Sequence, residues 1–280
     1  MLNPHGRARS QRLLVTLFGD YTWNRHAPIP SAALVRVLEE FGIGAANARA
    51  ALSRLTQRGM LVRSRAGRRT SYALTGHAVR LLDRGAKRIF GLGAEEEQWH
   101  GVWTVVLFSI PNVDADARHL LRSRLRWLTF SPLYDAVWIS PHDKVDAVVE
   151  QLQDLGINDA VVFRATDLTD LPGGRSRLAS AWDLDALAGA YEAFLHRYGS
   201  LAEGAARGAV QPPQALVQRT ELVDEWRRFA RDDPDLPGEF LPDDFPRAKA
   251  RELFLYTYDA LAEPATERFE ELVRPFTEGE

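Results

Sequence analysis

The charges of this 280-residue chain are distributed very unevenly along its length. Residues 1–90 contain 16 Lys and Arg against 4 Asp and Glu, a net charge of +12, whereas residues 91–280 contain 19 against 34, a net charge of −15. A division this sharp predicts a basic module that meets a polyanion and an acidic remainder with a different task. Any fold for this chain must therefore accommodate at least two modules.

The composition excludes several classes of protein. The chain has no Cys, which rules out disulfide frameworks, thiolate zinc sites and cysteine nucleophiles. No apolar run approaches the roughly 18 residues that a membrane helix needs, and the basic N-terminus lacks the apolar core of a secretory signal. No nucleophile elbow, phosphate-binding loop or metal-ligand spacing of His occurs. We therefore expect a cytoplasmic protein that is not an enzyme and that has no metal or cofactor.

The basic part opens with the hydrophobic periodicity of helices. Residues 10–18 place Leu and Phe on one face, and we expect this first helix to end at Gly19. Residues 28–30 are too short and too rich in Pro for a helix, so they predict a short edge strand. Ser31 is expected to cap a second helix that runs to about Phe41.

A third helix, from about residue 45 to residue 58, has two different sides. Its core stripe consists of Ala48, Ala51, Leu52 and Leu55. The opposite side is small and polar and is flanked by arginines, which suits insertion into the major groove of DNA, since polar groups read base edges and arginines reach guanines or phosphates. The DNA-binding candidates on this helix are Asn47, Arg49, Ser53, Arg54 and Gln57.

Two strand patterns with a basic turn follow the third helix. Residues 60–65 and 70–74 predict the strands, and residues 66–69 predict the turn. Four arginines lie on or beside the hairpin tip and complete the DNA-binding candidates: Arg63, Arg65, Arg68 and Arg69. Three helices and a basic hairpin predict a winged helix-turn-helix domain, in which the hairpin lies on the backbone or in the adjacent minor groove. Thr75 is expected to cap a further helix that serves as a linker or a dimerisation helix.

The acidic remainder predicts two more domains. Residues 102–165 alternate between strand and helix patterns in the order βαββαβ, which indicates a ferredoxin-like unit. Amphipathic helices dominate the chain beyond residue 173. The predicted class is therefore α+β, with a winged-helix domain and linker helix in residues 1–92, a ferredoxin-like domain in residues 93–172 and a helical domain in residues 173–280.

Several segments together resemble the PaaX-type transcriptional regulators, which are repressors of phenylacetic acid degradation and their relatives. The segments are LLVTLFGDYTW, GIGAANARAALSRLTQRGML, GRRTSYALTGHAVRLL, WTVVLFSIP, LRSRLRWLTFSPLYDAVWISPHD and EWRR followed by DPDLPGEFLPDDFP. The resemblance covers nearly the whole chain. It implies a bacterial repressor that leaves its operator when an aryl-acetyl-coenzyme A thioester binds.

An effector of this kind needs cations for its phosphates and an apolar slot for its acyl group. One candidate cluster contains Arg122, Arg124 and Arg126 beside Trp127. A second cluster contains Trp182, Trp226, Arg227 and Arg228. His142, in the turn Ser-Pro-His-Asp, is a third candidate.

The leading hypothesis is a homodimeric repressor that binds double-stranded DNA. The dimer is expected because two recognition helices must lie about 34 Å apart, or a multiple of that distance, to read a palindrome. One alternative is a metal-dependent nuclease built on the ferredoxin-like unit. The central segment resembles small CRISPR-associated nucleases that carry an aspartate at the end of the first strand, where this chain has Ser109-Ile110-Pro111. Another alternative is a DNA-binding protein without an effector.

Overall fold

The computed structural model describes residues 4–22, 28–67, 69–94, 101–111, 114–166 and 181–277, except for the side chains of residues 4–7 and 239. Helices and two antiparallel sheets make up the fold, which confirms the predicted α+β class. Its described residues form two compact units. The first takes them from Met1–Gly91, Leu195–Arg227 and Arg251–Glu280, and the second takes them from Leu92–Phe194 and Arg228–Ala250.

The basic part of the first unit contains four helices and a three-stranded sheet. The bounds are α1 Pro4–Tyr21, β1 Ile29–Pro30, α2 Ser31–Glu39, α3 Ala45–Gln57, β2 Leu61–Ala66, β3 Arg69–Leu74 and α4 Gly76–Gly91. The strand order is β1–β3–β2. β1 lies at the edge, as predicted for residues 28–30, and Pro30 there pairs with Ser71 without having to donate a backbone hydrogen bond.

Two predictions about helix ends are wrong. α1 does not stop at Gly19 but continues to Tyr21, because burial of Phe18 and Tyr21 outweighs the roughly 1 kcal/mol that Gly costs in a helix. Ser31 does not cap α2. It is the first residue of the helix, and Pro30 takes the N-cap position without a side-chain hydrogen bond.

The predicted cap of α4 is confirmed. Thr75 lies before the first residue of α4, and its Oγ1 accepts a hydrogen bond from the backbone N–H of Ala78 at 3.1 Å. The same hydroxyl donates to the carbonyl oxygen of Gly59 at 2.6 Å. Thr75 therefore fixes the start of α4 to the turn that follows α3.

Helices from the C-terminal part contribute to the core of the first unit, which takes their residues from Leu195–Arg227 and from Arg251 onward. They are α7 Leu184–Ala206, α8 Pro212–Asp232, α9 Arg247–Ala260 and α10 Ala262–Thr277. In α10, Phe269 is buried and its ring stacks on Tyr21 of α1 with centroids 4.8 Å apart. Arg268 of α10 bonds Glu40, just after α2, at 2.7 Å. The basic part is therefore packed against a helix that comes much later in the chain.

The second unit contains a four-stranded sheet. Its elements follow the order βαββαβ, with bounds β4 Trp103–Phe108, α5 Ala115–Trp127, β5 Ser131–Tyr134, β6 Val137–Ser140, α6 Val145–Asp154 and β7 Ala160–Ala165. The strand order is β5–β6–β4–β7, and all neighbours are antiparallel. Val106 and Trp138 pack with Leu121 of α5 and Val148 of α6 on one side. Trp103 belongs to a separate cluster.

The predicted division into three domains stays a prediction. Its second boundary, at residues 172 and 173, lies outside the residues that the structure describes. Within the described ranges, no helix combines the length and the apolar character that crossing a membrane requires.

Candidate nucleic-acid interface

The third helix, α3, has the predicted core stripe. Ala48, Ala51, Leu52 and Leu55 are its buried residues. The turn from α2 to α3 depends on Gly42, whose φ of +72° is strained for residues with a Cβ, and on Ile43, which is buried at 7% exposure. This turn fixes which side of α3 faces solvent.

The solvent side of α3 carries the five predicted DNA-binding residues. Arg49, Ser53 and Gln57 are exposed, whereas Asn47 and Arg54 are half-buried. The Nε of Arg54 is buried and has no hydrogen-bond partner among the described residues. Ala46, which is also exposed, leaves the first turn of this surface without a large side chain.

The hairpin of β2 and β3 presents arginines to solvent. Arg63 pairs with Tyr72 in the ladder, and Ala66 pairs with Arg69 next to the turn. Every residue of β2 after Leu61 is exposed, and so is Arg69. Arg68 lies outside the described residues.

The turn of this hairpin depends on one glycine. The φ of Gly67 is +58°, a conformation that costs roughly 1–2 kcal/mol for residues with a Cβ. The Nε of Arg65 donates to the Gly67 carbonyl oxygen at 3.0 Å. The backbone of the turn and a neighbouring arginine thus support each other.

A groove of about 560 Å³ joins α3 to the hairpin. It brings Ser53 and Gln57 of α3 to the same surface as Arg63 of β2. None of its lining residues is Asp or Glu, and the complete lining is Ser53, Thr56, Gln57, Leu61, Val62, Arg63, Tyr72 and Thr75. Members of two sets of residues that were predicted separately, Ser53 and Gln57 of α3 and Arg63 of the hairpin, therefore share one concave surface without a carboxylate.

Three polar or aromatic residues of this surface, Thr56, Tyr72 and Thr75, and the aliphatic Val62 were not among the predicted site residues. Thr56 follows Ser53 by three residues, so helical spacing alone could have placed it there. Val62 is 52% exposed, and Tyr72 and Thr75 line the same groove. Only the pairing of β2 with β3 brings Tyr72 to Arg63, and no sequence signal gives that register.

The arginines of α5 do not share one partner. The Nη2 of Arg122 donates to the Asp135 carbonyl oxygen at 3.3 Å, and the Nη1 of Arg124 donates to the side chain of Gln151 at 3.0 Å. The guanidinium of Arg126 lies 5.3 Å from the ring centroid of Trp138. Trp127 is 61% exposed.

The second predicted effector cluster is divided between the two units. Trp226 belongs to the first unit, where it is buried, donates from Nε1 to the Ile89 carbonyl oxygen at 2.9 Å and stacks on Phe254 at 4.7 Å. Arg227 donates to Thr16 at 2.8 Å, and burial lowers the pKa of its guanidinium. Arg228 is exposed.

Trp182 belongs to the second unit, as does His142. The Nε2 of His142 lies 3.1 Å from the carbonyl oxygen of Pro234. Trp182 and Arg126 line one cavity together. The structure thus brings together one residue from each predicted effector cluster.

Matches to known proteins extend over most of this chain. A family model described as PaaX-like protein matches residues 7–78, the PaaX protein central Cas2-like domain matches residues 96–177, and the PaaX-like protein C-terminal domain matches residues 182–271. The transcriptional repressor PaaX of Escherichia coli (strain K12) is 30% identical over 258 residues, which are 90% of this chain and 80% of that protein. The chain belongs to the PaaX family.

One solved structure is similar over nearly the same extent. It is the uncharacterised protein Rv0674 from Mycobacterium tuberculosis, with 25% identity and a TM-score of 0.56, and the match covers 92% of this chain and 96% of that one. The chain thus shares its family with the repressor PaaX and its fold with the structure of Rv0674, and both matches cover most of each protein. The groove between α3 and the hairpin lies within the segment matched by the first family model.

Proposed function

We propose that this PaaX-family chain is a repressor that binds double-stranded DNA in a sequence-specific manner through α3 and the hairpin of β2 and β3. The relative from Escherichia coli is a transcriptional repressor, which supports repression as the activity. The observation that carries the proposal is the groove that joins Ser53 and Gln57 to Arg63 without any carboxylate. A polyanion can approach such a surface, and hydrogen-bonding groups lie where base edges would be read.

The proposed architecture is a winged helix-turn-helix domain, a ferredoxin-like domain and a C-terminal helical domain. The order α2, α3, β2, β3 with a basic hairpin supports the first. The order βαββαβ and the strand order β5–β6–β4–β7 support the second. In this arrangement α3 is the recognition helix and the hairpin is the wing.

The proposed roles of the DNA-binding residues follow from their positions. Ser53 and Gln57 read base edges, with Asn47, Arg49 and Arg54 reaching guanines or nearby phosphates. The wing residues Arg63, Arg65, Arg68 and Arg69 contact the backbone. The repressor acts in the cytoplasm. It acts as a homodimer, because two recognition helices match the two halves of a palindrome.

The proposed signal is a small-molecule effector, an aryl-acetyl-coenzyme A thioester or a related compound. Such an effector releases the operator only if it binds the DNA-free form more tightly than the DNA-bound form. A hundredfold release requires about 2.7 kcal/mol of differential binding free energy. Titration of a thioester panel into the protein–operator complex measures this release directly, and no release by any thioester would contradict this part of the proposal.

The test of DNA binding begins with selection of an operator from random duplexes by the purified wild-type protein. Fluorescence anisotropy then gives the affinity as a function of salt for wild type and for the double variant Arg65→Ala, Arg69→Ala. Each phosphate contact contributes about 0.9 to the slope of log affinity against log salt, so the double variant should lose about two units of slope. Its affinity should fall alike for operator and unrelated DNA.

Arg207→Ala is the matched control, because Arg207 is 68% exposed and lies outside the groove. It should leave both affinity and slope unchanged. If the double variant in the hairpin also binds like wild type, the assignment of the hairpin as a wing is wrong.

A further inference from the structure

The cations of the first unit differ in whether a carboxylate is close to them. Arg12 lies 3.2 Å from Asp224 of α8, and Arg268 of α10 lies 2.7 Å from Glu40. Residues 41–94, by contrast, contain 11 Lys and Arg but one carboxylate, that of Asp83. Most cations of this segment therefore have no carboxylate of their own segment to pair with, which favours an anion from outside the chain.

Helix α4 belongs to this segment and has two different sides. Ala78 and Ile89 are buried on its inner side. Arg80, Arg84 and Lys87 are exposed and follow one another at spacings of four and three residues, so they lie on one face of the helix. These three residues are named the α4 stripe. At a rise of 1.5 Å per residue, the stripe extends over about 10 Å of the helix.

The α4 stripe carries two cations that no carboxylate compensates. The Nζ of Lys87 lies 3.2 Å from the Oδ2 of Asp83, which is four residues earlier in the same helix. No carboxylate in the described part of the chain lies within ion-pair distance of Arg80 or Arg84. The stripe therefore keeps a local positive charge after its one internal ion pair is counted.

Contacts at both ends hold α4 in place within the first unit. At its start, the backbone N–H of Thr75 donates to the Met60 carbonyl oxygen at 3.1 Å, in addition to the bond from the Thr75 hydroxyl to Gly59. At its end, the Ile89 carbonyl oxygen accepts from the indole of Trp226 at 2.9 Å. The stripe is therefore fixed relative to α3 and the hairpin, and a fixed surface loses less entropy when it binds.

The α4 stripe continues from the groove between α3 and the hairpin. Thr75 lines that groove and directly precedes the first residue of α4. Along the helix axis, Arg80 lies about 7.5 Å and Lys87 about 18 Å beyond Thr75. Each strand of a duplex carries one phosphate per about 3.4 Å of its axis. A DNA backbone that runs from the groove along α4 thus brings several phosphates to the stripe.

We infer that the α4 stripe is a further DNA-binding surface, on which Arg80 and Arg84 contact phosphates other than those that the hairpin contacts. The inference rests on the proposed function, since that function seats the duplex in the groove. The partner is the sugar–phosphate backbone of duplex DNA. Contacts to phosphates set the orientation of a protein on the duplex and carry no sequence information, so the stripe orients α3 without reading bases.

The salt dependence of binding tests the stripe through the double variant Arg80→Ala, Arg84→Ala. Fluorescence anisotropy with the selected operator and with an unrelated duplex should show a loss of about two units of slope, and an affinity roughly tenfold or more lower at about 0.15 M salt, for both duplexes alike. The melting temperature should stay at the wild-type value, because both positions are exposed and Ala favours helix.

A variant of the opposite sign distinguishes a DNA contact from a face that only meets water. Asp83→Asn removes the carboxylate beside the stripe and releases Lys87 from its ion pair, so it should strengthen binding to both duplexes severalfold. Arg197→Ala, Arg207→Ala is the matched control for lost charge, because these side chains are 61% and 68% exposed and belong to the same unit. It should keep the wild-type slope.

Single neutral methylphosphonates, placed in turn along the operator, locate the contact. At some positions the neutral group should weaken binding of wild type but not of the double variant in the stripe. These positions should differ from those found in the same way for the hairpin variant Arg65→Ala, Arg69→Ala. A combination of the two double variants should lose about four units of slope, because separate phosphate contacts add.

Two results would overturn the inference. The first is wild-type slope and affinity in the stripe variant while the hairpin variant is weakened, which leaves the repressor proposal intact. The second is a shift toward monomer in sedimentation of the stripe variant with an unchanged slope, which would assign the stripe to a second copy of the chain. Wild type without preference for the operator would contradict the proposed function, whereas the slope on the unrelated duplex would still test the stripe.

Discussion

A buried ion pair ties α1 to α8 within the first unit. Arg219 and Asp20 are 7% and 10% exposed in their side chains and lie 3.3 Å apart. The Arg219 guanidinium also lies 3.7 Å from the ring centroid of Tyr258, and its Nε donates to the Tyr258 carbonyl oxygen at 3.0 Å. One side chain thus connects the first helix of the basic part to two helices from the C-terminal part.

Replacement of this arginine should destabilise the first unit. Arg219→Met leaves Asp20 buried without its cation, which typically costs about 3–5 kcal/mol in the free energy of unfolding. Denaturant unfolding measures the loss, and Arg207→Met, at an exposed position, should stay within about 0.5 kcal/mol of wild type. A loss below about 1 kcal/mol for Arg219→Met would contradict the role given to the pair.

The same variant carries a pH dependence of known sign. Burial raises the pKa of Asp20, and the charge of Arg219 opposes that rise, so removal of Arg219 raises the pKa further. The folded variant then keeps a proton that the unfolded chain releases at lower pH, and stability is lost as pH rises through the folded pKa. The deficit relative to wild type should therefore be smaller at about pH 5 than at about pH 7.5. A deficit that grows on acidification would contradict this sign.

Trp226 is a predicted effector residue that is buried in the first unit. The tryptophan was predicted to contact an effector, but its indole is buried, bonded to Ile89 and stacked on Phe254. We expect Trp226→Phe to lower the free energy of unfolding by about 1–3 kcal/mol, because the Ile89 carbonyl oxygen loses its donor. Denaturant unfolding measures this loss. Calorimetry should show that Trp226→Phe binds the thioester effector with wild-type affinity. Weaker binding by this variant would place Trp226 in the effector site.

At the scale of elements, local patterns predicted what depends on local contacts. The buried stripe of α3 followed from the spacing of 3 and 4 residues between its apolar side chains. The Thr75 cap followed from a hydroxyl that lies three residues before its donor, the backbone N–H of Ala78. The Ser31 cap was wrong because pairing of β1 with β3 ends at Pro30 and leaves that residue at the N-cap. Partners distant in the chain, such as Phe269 for Tyr21, have no signal in the local pattern.

The surface of α3 gives the element-scale prediction. Ala46 is exposed at the start of the helix, and a small residue there allows the helix to approach base pairs closely. Ala46→Trp should reduce operator affinity by roughly tenfold to a hundredfold, the equivalent of about 1–3 kcal/mol, while the melting temperature stays unchanged. Anisotropy and thermal unfolding measure the two effects. Ala193→Trp, at an exposed position of α7, should bind normally, and normal binding by Ala46→Trp would exclude α3 from the groove of the DNA.

At the scale of the whole molecule, the predicted α+β class and the predicted family are confirmed, whereas the predicted sites stay predictions. The charge division and the order of elements were readable because each depends on composition or on short segments. The effector residues stay a prediction, because Trp182 and Trp226 belong to different units and their packing depends on long-range contacts that local patterns do not contain. The cavity joins Arg126 to Trp182 across 56 residues of sequence.

The most direct test of DNA recognition is the ratio of affinities for the selected operator and for a scrambled duplex of the same length and composition, measured by fluorescence anisotropy. Wild type should prefer the operator by at least about a thousandfold. Ser53→Ala and Arg49→Ala should each reduce the difference in binding free energy between the two duplexes by about 1–3 kcal/mol. Their affinity for the scrambled duplex should change less than their affinity for the operator. Equal affinity of the wild-type protein for the two duplexes would contradict the account.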